Sequence, residues 1–194
     1  MPSAGADPAV ILRPLEAADL DRVHDWYQDE LLYLDLVGPF VKRTREKAVA
    51  WMARQWLDSA YADRRLAICR SADARHVGNL YLTGIDRQAG TADFHILIGD
   101  AGDRGRGYGT AATRAGIALA FAGMGLRRLR LEVLARNLAA RRVYETCGFA
   151  LEAVRRRAVQ KPDGWQDVCV MSRGAAEDAG AGARVGNAPA WPAP

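Results

Sequence analysis

Cysteine is scarce in this chain, and what there is does not pair. Cys69, Cys147 and Cys169 are an odd number, and none sits in C-x-x-C spacing. That rules out a disulfide framework and argues against a zinc site, so no metal is expected. Each has apolar neighbours, which reads as a buried thiol, with a nucleophilic Cys147 the lesser reading. Long apolar runs are missing too. None approaches the ~20 residues that span a bilayer. The N-terminus lacks a basic segment followed by an apolar one, so no secretory signal is read. The expectation is a cytoplasmic protein with no membrane partner. Concentrated positive charge is also absent. The net charge is +4, but the arginines are spread along the chain. The densest clusters, Arg127-Arg128-Arg130 and Arg155-Arg156-Arg157, are short. A nucleic-acid surface asks for more than that. A small polyanion accounts for the same charge with less, so no nucleic-acid partner is expected.

What is present is one domain's worth of alternating elements. The 194 residues, 49% hydrophobic and 26% charged, suit a single soluble core. Residues 1–8 read as loose. Residues 174–194, rich in Ala, Gly and Pro, read as a disordered tail, and Trp191 within it has no assigned role. The expected domain is 9–173. Val10 to Arg13 reads as a strand. A helix follows with Leu20, Val23, Trp26 and Tyr27 on one stripe. Residues 44–58 read as a second helix, with Thr44 as a cap and Ala48, Trp51, Met52 and Gln55 along a face. Between them Leu31 to Val41 is apolar and aromatic but has no clear period. Arg65 to Arg70, Val77 to Ile85 and Thr91 to Ile98 read as consecutive strands, hence an antiparallel meander. Thr110 to Met124 reads as a helix closed by Gly125. Leu129, Leu131 and Val133 alternate with charged residues in a strand with one buried face. Asn137 opens a helix that ends near Cys147-Gly148. Two strands, Phe149 to Val159 and Trp165 to Ser172, are joined at Lys161-Pro162-Asp163-Gly164. The sum is a mixed α/β sheet with helices against it. No internal repeat is found.

The chemistry centres on Arg104-Gly105-Arg106-Gly107-Tyr108-Gly109-Thr110. An apolar strand gives way there to a glycine-rich turn and a helix start. The unpaired N–H groups of a first helical turn, with the helix dipole, favour an anion such as phosphate. A Walker loop would need a lysine here, and there is none. A dinucleotide fingerprint belongs after the first strand of a βαβ unit, with an acid about twenty residues on. Glu132 lies near that distance, but this loop follows a meander instead.

Downstream, Asn137, Ala140, Tyr144, Glu145, Gly148 and Phe149 fit the pattern Asn-x-x-Ala-x-x-x-Tyr-Glu-x-x-Gly-Phe, while Arg104, Gly107 and Gly109 fit Arg/Gln-x-x-Gly-x-Gly/Ala. With these two motifs in order, the chain resembles the GNAT family of N-acetyltransferases from about Val77 to Arg173. The ending, Asp163-Gly164-Trp165-Gln166-Asp167 and then Met171, is similar to the RimJ/RimL-like branch. The resemblance is weaker over residues 10–70, where the family varies with its acceptor. It implies the GNAT fold: a mixed, mostly antiparallel central sheet flanked by helices, with splayed strands at the acetyl-CoA site.

The resemblance also implies roles. Acetyl-CoA would be the cosubstrate, its pyrophosphate on the backbone from Arg104 to Thr110. Its pantetheine arm would pair with the edge of Ile96-Leu97-Ile98 as an added strand does. A backbone N–H near Leu97 would polarise the acetyl carbonyl. Tyr144 matches the tyrosine that protonates the departing thiolate in relatives. Asn137 would bond the pantetheine or cap its own helix, or both. The family has no invariant base. His95, which titrates near neutrality, is the leading candidate, with Glu132 and Asp93 as alternatives, and water another. Trp26, Tyr33 and Asp35 are candidates for the acceptor site, as is Asp93. The expected reaction is direct attack by the primary amine of a small molecule: an amino sugar, polyamine, antibiotic or amino acid. The alternatives are a protein N-terminal acetyltransferase and a non-catalytic CoA-binding sensor. Many relatives are dimers, so a homodimer is expected.

Overall fold

The computed structural model describes residues 8–38, 42–57 and 63–175. Most of the C-terminal stretch read as disordered, with Trp191, lies outside the described residues, as do residues 1–7. The strands are β1 (Val10–Pro14), β2 (Arg64–Arg70), β3 (His76–Asp86), β4 (Thr91–Ile98), β5 (Arg128–Leu134), β6 (Ala150–Lys161) and β7 (Gly164–Gly174). They form one sheet in the order β1-β2-β3-β4-β5-β7-β6. Every neighbouring pair is antiparallel except β4 with β5. The helices are α1 (Leu20–Tyr27), α2 (Glu30–Asp35), α3 (Arg45–Trp56), α4 (Tyr108–Ala118) and α5 (Leu138–Thr146). The strands and four of these helices follow the sequence reading to within one or two residues.

Two differences have physical causes. The fifteen-residue helix read from Thr110 to Met124 begins earlier, at Tyr108, and its last turn widens to a π turn over Leu119–Gly123. The stretch Leu31 to Val41 contains all but the first residue of a missed element, α2. Its six residues are too few to show a helical period. Its start signal is Asp29, whose carboxylate accepts from the N–H groups of Leu31 (2.9 Å) and Leu32 (3.2 Å).

Period-two alternation sends alternate side chains to opposite faces of the sheet, and both faces are covered. Leu66, Ile68, Leu80, Leu82 and Phe94 meet Ala112 and Ile117 of α4 and Tyr144 of α5. On the other face Ala67, Cys69 and Leu97 meet Leu20, Val23 and Trp26 of α1 and Ala48 and Met52 of α3. Full burial of each such Leu or Val side chain stabilises by about 1.5–3 kcal/mol. All three cysteines are buried and unpaired, as the sequence suggested. Among the described residues no helix is long and apolar enough to cross a membrane.

One close approach fixes the path out of β4. The Trp26 ring lies flat against Gly99, so near that a Cβ there would fall 1.9 Å from a ring carbon. The same indole donates through Nε1 to Asp100 at 2.9 Å. It cannot retreat without losing that bond. Gly99→Ala should therefore destabilise the fold by about 1–3 kcal/mol, the cost of overpacking a filled site. A denaturant midpoint equal to that of the parent would show that Trp26 yields freely.

Candidate active site

The site begins where two strands part. β4 pairs with β5 only at Thr91↔Arg128, Ala92↔Leu129 and Asp93↔Arg130. Beyond Asp93 each strand keeps its outer partner: β4 stays on β3 as far as Gly78↔Ile98, and β5 stays on β7 as far as Leu134↔Val168. Between them a wedge opens. Backbone groups of successive strand residues point to alternate sides. Gly99 donates to Val77 on β3, and Gly90 accepts from Arg127 and Arg128 on the β5 side. The amide of Leu97 is therefore turned toward β3. The groups facing the wedge belong to Phe94, Ile96 and Ile98. Among the expected donors of the Ile96-Leu97-Ile98 edge, the N–H groups of Ile96 and Ile98 face the wedge.

The anion loop follows. Gly105 and Gly107 adopt φ of 71° and 84°, the left-handed region that glycine enters without strain. Gly107 is the N-cap of α4, and no side chain caps the helix, so its first-turn N–H groups stay open to a ligand. Arg106 is exposed. Arg104 is committed elsewhere: its Nε donates to the Ile98 carbonyl (3.2 Å) and its Nη2 to the Gly99 carbonyl (2.5 Å). The same nitrogen lies 3.3 Å from the Asp29 carboxylate. Arg104 thus shapes the loop from behind. Gly109 has open space, with Ile98 and Val143 at ordinary contact distance from a Cβ.

A cavity of about 410 Å³ runs through the wedge. Phe94, His95, Ile96 and Leu97 of β4 form one side, and Glu132 and Val133 of β5 the other. Asn137 at the N-cap of α5, with Ala140 and Tyr144 of α5, also lines it. Trp26, Tyr27, Tyr33, Asp35, Trp51 and Trp56 complete the lining from the N-terminal third of the chain. The structure thus brings together Tyr144, His95, Glu132, Asn137, Tyr33, Asp35 and the edge of β4. Trp26 touches the rim, but it is 5% exposed and spends its ring on His76 and its N–H on Asp100. Asp93 is outside the cavity lining.

Protonation follows burial. Tyr144 is nearly covered, with Phe149 edge-on to its ring. Burial, reinforced by Cys147, raises the phenol well above its ordinary range, so Tyr144 stays protonated. His95 opens on the cavity and lies 3.1 Å through Nε2 from the Thr83 hydroxyl. Loss of bulk water around the ring lowers its pKa from the usual 6.5, against the pull of Asp93 and Glu132. The imidazole is neutral at pH 7. Glu132 is held by Arg130 (3.2 Å) and Arg155 (2.5 Å), which occupy both its oxygens.

The short helix α2 forms a wall of the cavity and is held from outside. Its last carbonyls point past the helix end, where no intrahelical donor reaches. Lys161 donates to Tyr33 (3.1 Å) and Gly38 (3.0 Å), Arg136 to Leu34 (2.8 Å), and Asn137 to Asp35 (3.2 Å). Asn137 also caps α5 by accepting from Ala140 at 3.0 Å. The Lys161 ammonium sits 3.7 Å above the Tyr33 ring. Sequence reasoning missed Lys161, Arg136 and the aromatic wall from α3. A usable signal was present: three of the five tryptophans, Trp26, Trp51 and Trp56, fall within the motif-free first third of the chain.

Comparison with known proteins agrees with this geometry. Residues 9–150 match the model of the acetyltransferase (GNAT) domain. A curated relative, the probable N-acetyltransferase YjcK of Bacillus subtilis, is 30% identical over 132 residues, which is 68% of this chain and 71% of that protein. Among solved structures, the spermidine N-acetyltransferase of Vibrio cholerae in complex with CoA and spermine superposes with a TM-score of 0.76. It is 22% identical, over 84% of this chain and 94% of that one. A dodecameric form of the V. cholerae enzyme gives 0.72 at 22% identity, over 87% and 95%. The chain belongs to the GNAT acetyltransferase family and is an N-acetyltransferase.

Proposed function

We propose that this protein uses acetyl-CoA to acetylate the primary amine of a small molecule held in the aromatic cavity. The cavity itself carries this reading. Its lining combines the edge of β4 that lies beyond the last β5 pair with Tyr27, Tyr33, Trp51 and Trp56, and β4 leads in the chain to the uncapped N-terminus of α4. The strand edge and the helix N-terminus suit a phosphate-bearing, amide-containing arm. Acetyl-CoA, when bound, supplies the activated acyl group and the thiolate leaving group. The chain's residues do the rest. Amide groups of Ile96 and Ile98 are available to bond along the arm. The acceptor ammonium loses a proton to His95, whose neutral ring can take it. The C–N bond forms as the C–S bond breaks, Tyr144 gives its hydroxyl proton to the departing sulfur, and the second proton shed by the nitrogen as it becomes an amide restores the Tyr144 hydroxyl through solvent. Glu132, paired with two guanidinium groups, is the weaker candidate base. Asp35 and Tyr33 line the amine's side of the chamber.

The direct test is thiol release from acetyl-CoA with a panel of primary amines. Turnover on some of them is expected. Tight binding of acetyl-CoA with no turnover on any would favour a non-catalytic sensor. Tyr144→Phe should lower kcat about a hundredfold, the usual worth of a positioned general acid, while the CoA dissociation constant stays within about twofold. Equal losses in both would mark Tyr144 as a packing residue only.

The pH profile tests His95. The neutral form is the active one, and its pKa is depressed, so kcat/KM should rise with pH through an inflection below 6.5 and then level off. His95→Asn should remove that inflection and lower the plateau about tenfold or more. A profile with its inflection intact in the variant would transfer the role to another group.

A further inference from the structure

A basic groove adjoins the cavity. At the start of α3 the chain reads Lys42-Arg43-Thr44-Arg45-Glu46-Lys47, with Arg54 two turns on. Arg45 is taken by Asp21 (3.0 Å) and Asp25 (2.5 Å). Among the described residues, Lys42, Arg43, Lys47 and Arg54 make no ion pair with an acidic side chain, and all four are exposed. These four line a shallow groove with Thr44, Ala50 and Trp51. The groove and the main cavity share Arg43 and Trp51, so they are continuous. The Arg43 guanidinium stacks 4.8 Å above the Trp51 ring, which fixes it at the junction. The cavity lining also holds the carboxylate of Asp35, and Glu132, whose two oxygens are paired with Arg130 and Arg155.

We infer that the acceptor is a dipolar molecule: a primary amine joined through an apolar spacer to a carboxylate, with the carboxylate received by Arg43 and Lys47. The inference rests on the acetyltransferase reading of the cavity and names its substrate class. Each part of the path matches a part of such a ligand. The Asp35 carboxylate attracts the ammonium, the aromatic wall covers the spacer, and uncompensated cations meet the anion. A free polyamine is a poor match. It would have to pass the cluster of Lys42, Arg43 and Lys47 with positive charge at both ends, and like charges at close range repel. Spermidine acetylation is the activity named for the V. cholerae structures, but at 22% identity that likeness extends to the fold alone.

Matched amines separate these readings. Thiol release should be measured with 4-(aminomethyl)benzoate, its methyl ester, benzylamine and spermidine, at low and high salt. The expected result is a kcat/KM for the carboxylate about five- to tenfold above that for the ester, lying mainly in KM and shrinking with salt. The double variant Arg43→Gln/Lys47→Gln should bring that ratio to near one, with a melting curve to verify that it folds. Equal rates for acid and ester, or a preference for spermidine, would overturn the inference and leave the acetyltransferase reading standing. No turnover on any of the four, with acetyl-CoA still bound, would overturn both.

Discussion

The structure depends on where the pairing between β4 and β5 stops. β7 pairs with β5 antiparallel through seven residue pairs, from Arg128↔Gly174 to Leu134↔Val168. β4 reaches the other edge in parallel and holds only three. Parallel ladders are slightly weaker per residue, and β4 is already satisfied along β3. The two halves of the sheet therefore keep their own twist and separate after Asp93. Phe94 and Phe149 sit at the fork, their rings 5.7 Å apart, with Tyr144 beyond them. Unpaired backbone in a folded core is costly unless something bonds it. A wedge with the open edges of Phe94, Ile96 and Ile98 is thus a place built for a ligand backbone. The cavity, the exposed strand edge and the position of Tyr144 all follow from where the pairing stops.

The second constraint is the short helix α2. Six residues do not hold a helix in water, since nucleation costs more than one turn returns. Its order is imposed from both ends. Asp29 caps the start and meets Arg104, while Asn137, Arg136 and Lys161 close the finish. Arg104 and Asn137 are also the residues that begin the two motifs of the coenzyme side. One set of side chains therefore builds the loop and the α5 cap on one side, and the acceptor wall on the other. The two halves of the active site are joined by hydrogen bonds rather than merely adjacent. Lys161 takes part from the tip of the β6–β7 hairpin, and its depressed ammonium pKa follows from its burial there.

Much of this was legible in the residues. Strand alternation such as Leu129, Leu131 and Val133, and the spacing of Asn137 to Phe149, depend on local period and short-range turns. Those survive in one dimension. The Pro162-Asp163-Gly164 turn likewise sits where its dipeptide signals put it. What was not legible depends on contacts across a hundred residues. Lys161 meeting Tyr33, Arg136 meeting Leu34 and Arg104 turning back to Asp29 leave no periodic trace. The direction of the Leu97 amide is a matter of register against Val77 and Gly90, which the sequence of β4 alone does not encode. The role of Trp26 is similar: its place on an apolar stripe was readable, and its bond to Asp100 was not.

Desolvation acts in opposite chemical senses on Tyr144, which is buried, and on His95, which stands exposed at the cavity with its ring partly shielded from water. Removing water disfavours whichever form is charged. For Tyr144 that form is the phenolate, so the proton is retained. For His95 it is the imidazolium, so the proton is given up. Desolvation thus leaves a neutral donor on α5 and, against the pull of Asp93 and Glu132, a neutral acceptor on β4 at the same pH. Environments that push titratable groups apart mark the acid and the base. Glu132 shows the contrast. It stands in the same lining, but Arg130 and Arg155 occupy both its oxygens, whereas among the described residues the His95 ring faces no such pair. In the proposed mechanism that difference in partners, rather than nearness to the wedge, favours His95 over Glu132.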